Sequence, residues 1–205
     1  MEKRDDKMKV LLLCMKAFET MEFSAFIDVI GWAHETFGYD VSVDICGFGR
    51  KVISTFGVRV QVDILMDEVN VGEYDALAIP GGFREFGFKE KAFHTKTQKL
   101  IRAFHAEGKP IATVCVAAFA LAESGILRGK RATAYHLDDG KTQKELAKYG
   151  VIIENRPVVV EGNIITSYCP QTAPEVAFKL LEMLIGVENT DEDNVICKSE
   201  FDKGV

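Results

Sequence analysis

Apolar and polar positions alternate along this chain in two rhythms, and the switches between them mark out its elements. Residues 10–15, 74–79 and 111–114 are short, nearly unbroken apolar runs, as in strands buried on both faces. Residues 22–36, 94–106, 116–124 and 140–149 read as helices, the first ending at Gly38. Residues 39–46 and 131–135 read as further strands. Val and Ile surround Gly57 within residues 51–62, which predicts a small hairpin or an edge excursion. Residues 151–166 predict strands turning at Glu161-Gly-Asn163. Thr172-Ala-Pro-Glu175 has the form of a capping box with proline in the first turn, opening a last helix that ends near Ile185.

Strands that alternate with helices predict a mostly parallel sheet covered on both faces, a three-layer α/β/α sandwich. Such sheets bind ligands beyond the carboxyl ends of their strands. No repeat or low-complexity linker divides residues 9–186, which read as a single domain. Residues 1–8 read as a flexible N-terminus. Residues 187–205, with the acidic run Glu188-Asn-Thr-Asp-Glu-Asp193, read as a surface tail in which Val195-Ile-Cys197 could still pack.

Composition narrows the classes of function. Of the 205 residues, 47% are hydrophobic and 27% charged, which suits one substantial core. A net charge of -6 argues against a nucleic-acid footprint or a polybasic membrane patch. No apolar stretch reaches the ~20 residues that span a bilayer and the start is charged, so a cytoplasmic location is expected. Cys14, Cys46, Cys115, Cys169 and Cys197 are odd in number and widely spaced, without a Cys-x-x-Cys pair. They suggest neither a disulfide scaffold nor a metal site, and no cofactor is expected.

Three places, each just after a strand, can carry chemistry. In Lys109-Pro-Ile-Ala-Thr-Val-Cys-Val-Ala-Ala-Phe-Ala-Leu121 an apolar run stops at a thiol and small, helix-forming residues follow. A strand, sharp turn and helix would lift Cys115 over free helix N–H groups, where the dipole favours thiolate, the reactive species. The plainer reading of Cys115 is a small buried hydrophobe. Phe18-Glu-Thr-Met-Glu22 leads from the first strand into its helix. Glu19 and Glu22 there could serve only the helix dipole. Glu22 nevertheless lies at the same sheet edge as Cys115: protonated it would donate to thiolate, ionised it would act as a base. In Pro80-Gly81-Gly82, consecutive glycines let backbone approach a ligand, and the N–H groups of Gly82 and Val116 would form an oxyanion hole. The alternative there is a tight turn that needs positive φ.

Glu22, Ile79-Pro-Gly-Gly82 and Val114-Cys115, in that order, resemble the ThiJ/PfpI superfamily, also called the DJ-one/PfpI family. The likeness runs from about residue 9 to residue 186. It includes Ala122-Glu-Ser-Gly-Ile-Leu-Arg-Gly-Lys-Arg-Ala-Thr133 and Ser167-Tyr-Cys-Pro-Gln-Thr-Ala173. The resemblance implies a flavodoxin-like, class I glutamine amidotransferase-like fold and a homodimer. It makes Cys115 the elbow nucleophile, Glu22 the carboxyl that hydrogen-bonds it, and Gly82 and Val116 the oxyanion donors, with Cys169-Pro170 bordering the pocket. Two departures stand out. Val116-Ala117-Ala118 occupies the place where many members carry Ala-Gly-Pro or His-Gly. Tyr135 stands where some members have a histidine, and His136 follows one residue later, facing the opposite side if the strand continues. A Cys–His dyad through His136 stays open.

The resemblance implies a cysteine enzyme with a small-molecule substrate, an electrophilic carbonyl or related compound, acting as a glyoxalase-like enzyme or a hydrolase or hydratase. A different class is an oxidative-stress sensor or protective protein in which Cys115 is oxidised and Cys169 is a resolving partner or a structural cysteine. An intracellular protease is disfavoured by the missing adjacent histidine, and a transcription-factor module by the lack of room for a DNA-binding appendage. No nucleic-acid or membrane partner is expected.

Overall fold

The computed structural model describes residues 7–186, and the expectations for residues 1–6 and for the tail with Cys197 lie outside these. The chain runs β1 (Met8–Leu13), α1 (Thr20–Glu35), β2 (Val41–Gly47), β3 (Lys51–Ile53), β4 (Arg59–Gln61), β5 (Ile64–Leu65) and β6 (Ala76–Ile79). It continues through α2 (Phe88–Ala92), α3 (Thr95–Ala106), β7 (Ile111–Val114), α4 (Ala118–Ser124), β8 (Arg131–Ala132) and α5 (Lys141–Ala147). Strands β9 (Ile152–Ile153), β10 (Val158–Glu161) and β11 (Ile164–Ser167) precede the final helix α6 (Ala173–Ile185).

Seven strands form the central sheet in the order β10-β11-β7-β6-β1-β2-β5. All pair parallel except the β10–β11 hairpin. The inner strands β2-β1-β6-β7-β11 follow the flavodoxin-like order, with the winding direction reversing between β1 and β6. The crevice outside the carboxyl ends of those two strands is where such a sheet takes a ligand.

Strand alternation builds one core on each face. Leu11, Leu13 and Met15 pack with Ile101, Phe104, Phe119 and Leu121, while Val10, Leu12 and Cys14 pack with Phe26, Ile30, Val176 and Leu180. Each fully buried Leu, Ile or Phe contributes roughly 1.5–3 kcal/mol. Helices α1 and α6 thus cover one face and α3 and α4 the other. Cys115, just past β7, touches both cores. Among the described residues no helix is long and apolar enough to cross a membrane.

Several elements differ from the sequence expectation for local reasons. Met8, assigned to the flexible start, opens β1: it pairs with Val41 and its N–H donates to the Asp40 carbonyl. The strand expected at 131–135 stops at Ala132, because the Thr133 N–H donates to the Thr166 hydroxyl at 3.0 Å instead of to a neighbouring strand. The capping box expected at Thr172 is absent. Thr172 turns its hydroxyl back to the Cys169 carbonyl at 2.7 Å, closing a 3-10 turn, Pro170–Thr172, ahead of α6. The hairpin around Gly57 forms as expected, with β3 antiparallel to β4. Strand β5 and helix α2 are two and five residues long, too short for periodicity to reveal.

Candidate active site

The four inner loops at the carboxyl edge of the sheet each deliver one part of the site. Strand β7 is wholly buried and extended through Val114. The chain then turns at Cys115, whose φ of +57° lies in the left-handed region, and enters a 3-10 turn, Cys115–Ala117, that runs into α4. A side chain in that conformation costs about 1–2 kcal/mol, so the surrounding packing holds the thiol in a strained elbow. The Val116 N–H donates to the sulfur. Burial pushes the thiol pKa up, an ionised Glu22 would push it further, and the Val116 N–H pulls it down.

Glu22 stands in the first turn of α1, placed there by the Glu19 side chain, which caps the helix by accepting the N–H groups of Met21 and Glu22 at 2.7 and 3.1 Å. Glu22 has 0% exposure. Its Oε2 accepts the Gly81 N–H at 2.5 Å. Oε1 meets no group in full hydrogen-bond geometry, and the Cys115 thiol acts on the carboxyl as a weak, sulfur-type partner. Burial raises the Glu22 pKa to about 8; the Gly81 N–H opposes that rise, nearby Glu19 adds to it and Cys115 reduces it. At neutral pH the carboxyl is therefore mostly protonated, and the repulsion an ionised Glu22 would exert on a Cys115 thiolate is largely absent.

Gly81 and Gly82 are required by space rather than by torsion, since neither has a positive φ. The tight-turn reading gives way to close approach. A Cβ on Gly81 would lie 2.7 Å from the Val114 oxygen, 2.8 Å from Glu22 Oε2 and 3.0 Å from the Cys115 Cβ; one on Gly82 would lie 2.2 Å from the Ala17 oxygen. Gly82 forms an isolated bridge with Phe18. Its two bonds run from the Glu19 N–H to the Gly81 carbonyl and from the Phe83 N–H to the Ala17 carbonyl, so the Gly82 N–H takes no part in them.

Cys115, Glu22, Gly82 and Val116 line one cavity of about 750 Å³, together with Tyr135 and Cys169. His136 does not line it. Its ring stacks on Tyr168 at 3.9 Å between centroids, so the expectation of a dyad through His136 gives way to Tyr135 as the residue of that pair at the cavity. Cys169 is buried and unbonded to another cysteine; burial raises its thiol pKa and the Gln171 N–H lowers it. Sequence reasoning missed two parts. Arg84 and Glu145 form a two-pronged ion pair at 2.8 and 2.6 Å across the mouth, a contact 61 residues apart that no local pattern signals. Phe56 and Phe83 make an aromatic wall there, readable beforehand only as one hairpin residue and one loop residue.

The chain is 33% identical over 164 residues to the Deglycase PfpI of Pyrococcus furiosus, covering 80% of this chain and 91% of that protein. It is 35% identical over 143 residues to an uncharacterized protein of Methanocaldococcus jannaschii, covering 69% of this chain and 66% of that protein, just under two thirds of its length. The crystal structure of Drosophila melanogaster DJ-1beta superposes with a TM-score of 0.78 at 27% identity, covering 97% of each chain. The profile of the DJ-1/PfpI family matches residues 8–183, and the chain belongs to that family.

Proposed function

We propose that this chain is a cysteine-dependent enzyme acting on small reactive carbonyl compounds, of the glyoxalase-like or hydrolase type. The observation that supports this most is that a fully buried carboxyl, protonated up to about pH 8, shares one cavity with an elbow thiol at φ +57°. A group with that pKa offers both its acid and its base form near neutrality. The name deglycase borne by the Pyrococcus relative supports a carbonyl-directed reaction.

With an α-oxoaldehyde, the Glu22 carboxylate takes the thiol proton and the Cys115 sulfur bonds to the aldehyde carbon. The C=O π pair moves onto oxygen, where the Gly82 N–H holds it and Glu22 returns the proton. Val116, whose N–H already serves the sulfur, supports the thiolate first and the adduct second. Glu22 then carries the hydrogen of carbon 1 to carbon 2 as a proton, while the hydroxyl hydrogen passes between the two oxygens, leaving a thioester. Water cleaves the thioester, releasing a 2-hydroxy acid and restoring the thiol. Cys115→Ala should abolish turnover of methylglyoxal and of an ester probe while circular dichroism and melting temperature stay native; retained turnover overturns the proposal.

A protonated Glu22 also favours a second reading, in which Cys115 is an oxidation sensor. Two molecules of peroxide would convert the thiol to sulfinic acid, each being reduced to water, and the Glu22 O–H would donate to the sulfinate. Peptide mass spectrometry after mild peroxide distinguishes the forms: sulfinate on Cys115 supports the sensor, a Cys115–Cys169 disulfide an exchange pair, and an inert thiol rejects both. We further propose a homodimer, for which exposed Met21 and Trp32 on α1 offer apolar surface; sedimentation at the monomer mass rejects it.

A further inference from the structure

We infer that the aromatic wall at the cavity mouth selects substrates whose reactive carbonyl carries a flat, apolar arm, with Phe56 and Phe83 as the specificity-determining residues; this rests on Cys115 being the nucleophile. The cavity, at about 750 Å³, is much larger than a three-carbon aldehyde needs. Its floor holds the chemistry and one side of its mouth is apolar: Phe56 is 73% exposed, Leu137 67% and Phe83 41%, and all three line the same space as the thiol. Phe56 and Phe83 meet edge to face with centroids 5.8 Å apart, and Phe83 is backed by Phe86 at 6.0 Å.

Singly exposed phenylalanines are ordinary on protein surfaces. These two are held in register with the reacting groups. The Ala17 carbonyl accepts both the Phe83 N–H at 3.1 Å and the Thr55 hydroxyl at 2.7 Å, so one backbone oxygen anchors the residue after Gly82 and the hairpin tip that carries Phe56. The Thr55 N–H also donates to the Phe18 carbonyl at 2.9 Å, on the loop leading to Glu19 and Glu22. The wall therefore stands at a set distance from the thiol, as a preorganised subsite requires. Charge at the mouth is partly spoken for. Arg84 is paired with Glu145, and one Asp138 oxygen accepts both the N–H and the hydroxyl of Thr142 while the other has no hydrogen-bond partner, which leaves Asp138, Lys141 and Glu85 without an ion-pair partner across the mouth among the described residues. An arm gains more there from ring contact than from an ion pair.

The test compares matched probes on the full chain. Rates of Cys115 alkylation by N-methylmaleimide and N-phenylmaleimide, followed by peptide mass spectrometry, are each divided by the rate with glutathione. The corrected phenyl-to-methyl ratio should be on the order of 10 or more in the native protein and fall to about 3 or less in Phe56→Ala and Phe83→Ala. The ratio of kcat/KM for phenylglyoxal over methylglyoxal should fall in parallel. A maleimide ratio near 1 in the native protein, or one that neither substitution changes, overturns the inference. So does a fall accompanied by a changed sedimentation mass, which would assign the wall to contact between copies. A maleimide ratio that behaves as expected while neither glyoxal nor the ester probe is turned over keeps the wall and removes the proposed enzyme reading.

Discussion

The Gly81 N–H and Glu22 Oε2 lie 2.5 Å apart across 59 residues of sequence, joining the loop after β6 to the first turn of α1. The bond fixes where the carboxyl sits beside Cys115. It also favours the ionised form, and burial overrides it: the balance leaves the Glu22 pKa at about 8. Position and protonation are therefore set by different forces, one by a backbone donor and the other by the absence of water.

A pH dependence of stability follows. The Glu22 pKa rises from 4.5 in the unfolded chain to about 8 in the folded one. Below pH 4.5 both states hold the proton and stability is full. Between 4.5 and 8 the unfolded chain releases it while the folded chain keeps it, so stability falls as pH rises, by up to roughly 5 kcal/mol at about 1.4 kcal/mol per pH unit. Above 8 the loss is complete and constant. Glu22→Gln keeps an acceptor for Gly81 and cannot titrate. Relative to wild type it should gain stability steadily from pH 4.5 to 8 in urea unfolding curves, and parallel pH profiles would show that Glu22 is not the raised acid.

The elbow makes a prediction about side-chain size. Cys115 has φ +57°, where a Cβ is strained and glycine is not. The usual order of alanine above glycine should invert at this position. Cys115→Gly should be more stable than Cys115→Ala by about 1 kcal/mol in urea unfolding. Equal stabilities would mean that the chain relaxes its elbow once sulfur is gone.

What could be read from the residues, and what could not, divides along physical lines. The sheet, its covering helices and the elbow at Cys115 were legible because each is written in neighbouring residues: apolar runs, small residues after a thiol, paired glycines. Glu22 and Gly81-Gly82 could be placed at one edge of the sheet because parallel strands bring their following loops to the same side. The 3-10 turn at Thr172 was illegible because Thr172 chose a carbonyl three residues back over the cap it could have made. His136 was ambiguous because its position depended on whether a strand continued past Ala132, which the Thr166 side chain decided. Shared anchoring of Phe56 and Phe83 by Ala17 joins three separate segments and leaves no local trace.

Gly82→Ala tests the close approach of loop and strand. The added methyl would fall 2.2 Å from the Ala17 oxygen and 2.7 Å from Phe88 Cδ2, both in buried residues. Relief requires the Phe18–Gly82 bridge to open, so a loss of about 2–3 kcal/mol is expected in urea unfolding, with slower Cys115 alkylation. A variant of native stability would show that the loop after β6 yields easily.

The Arg84–Glu145 pair ties the loop after β6 to α5 across the cavity mouth, with both forks engaged at 2.8 and 2.6 Å and the guanidinium 4.7 Å from the Phe119 ring centroid. The pair is partly solvated, so water and salt screen it and its two-pronged geometry is what distinguishes it from an ordinary surface contact. A double-mutant cycle of Arg84→Ala and Glu145→Ala should give a coupling of about 0.5–1 kcal/mol that shrinks in molar salt. Arg84→Ala alone should lose more than Glu145→Ala, because it also removes the cation from the face of Phe119, a contact worth about 0.5–1 kcal/mol. Equal single losses with no coupling would mean that the loop after β6 and helix α5 hold their positions without the pair.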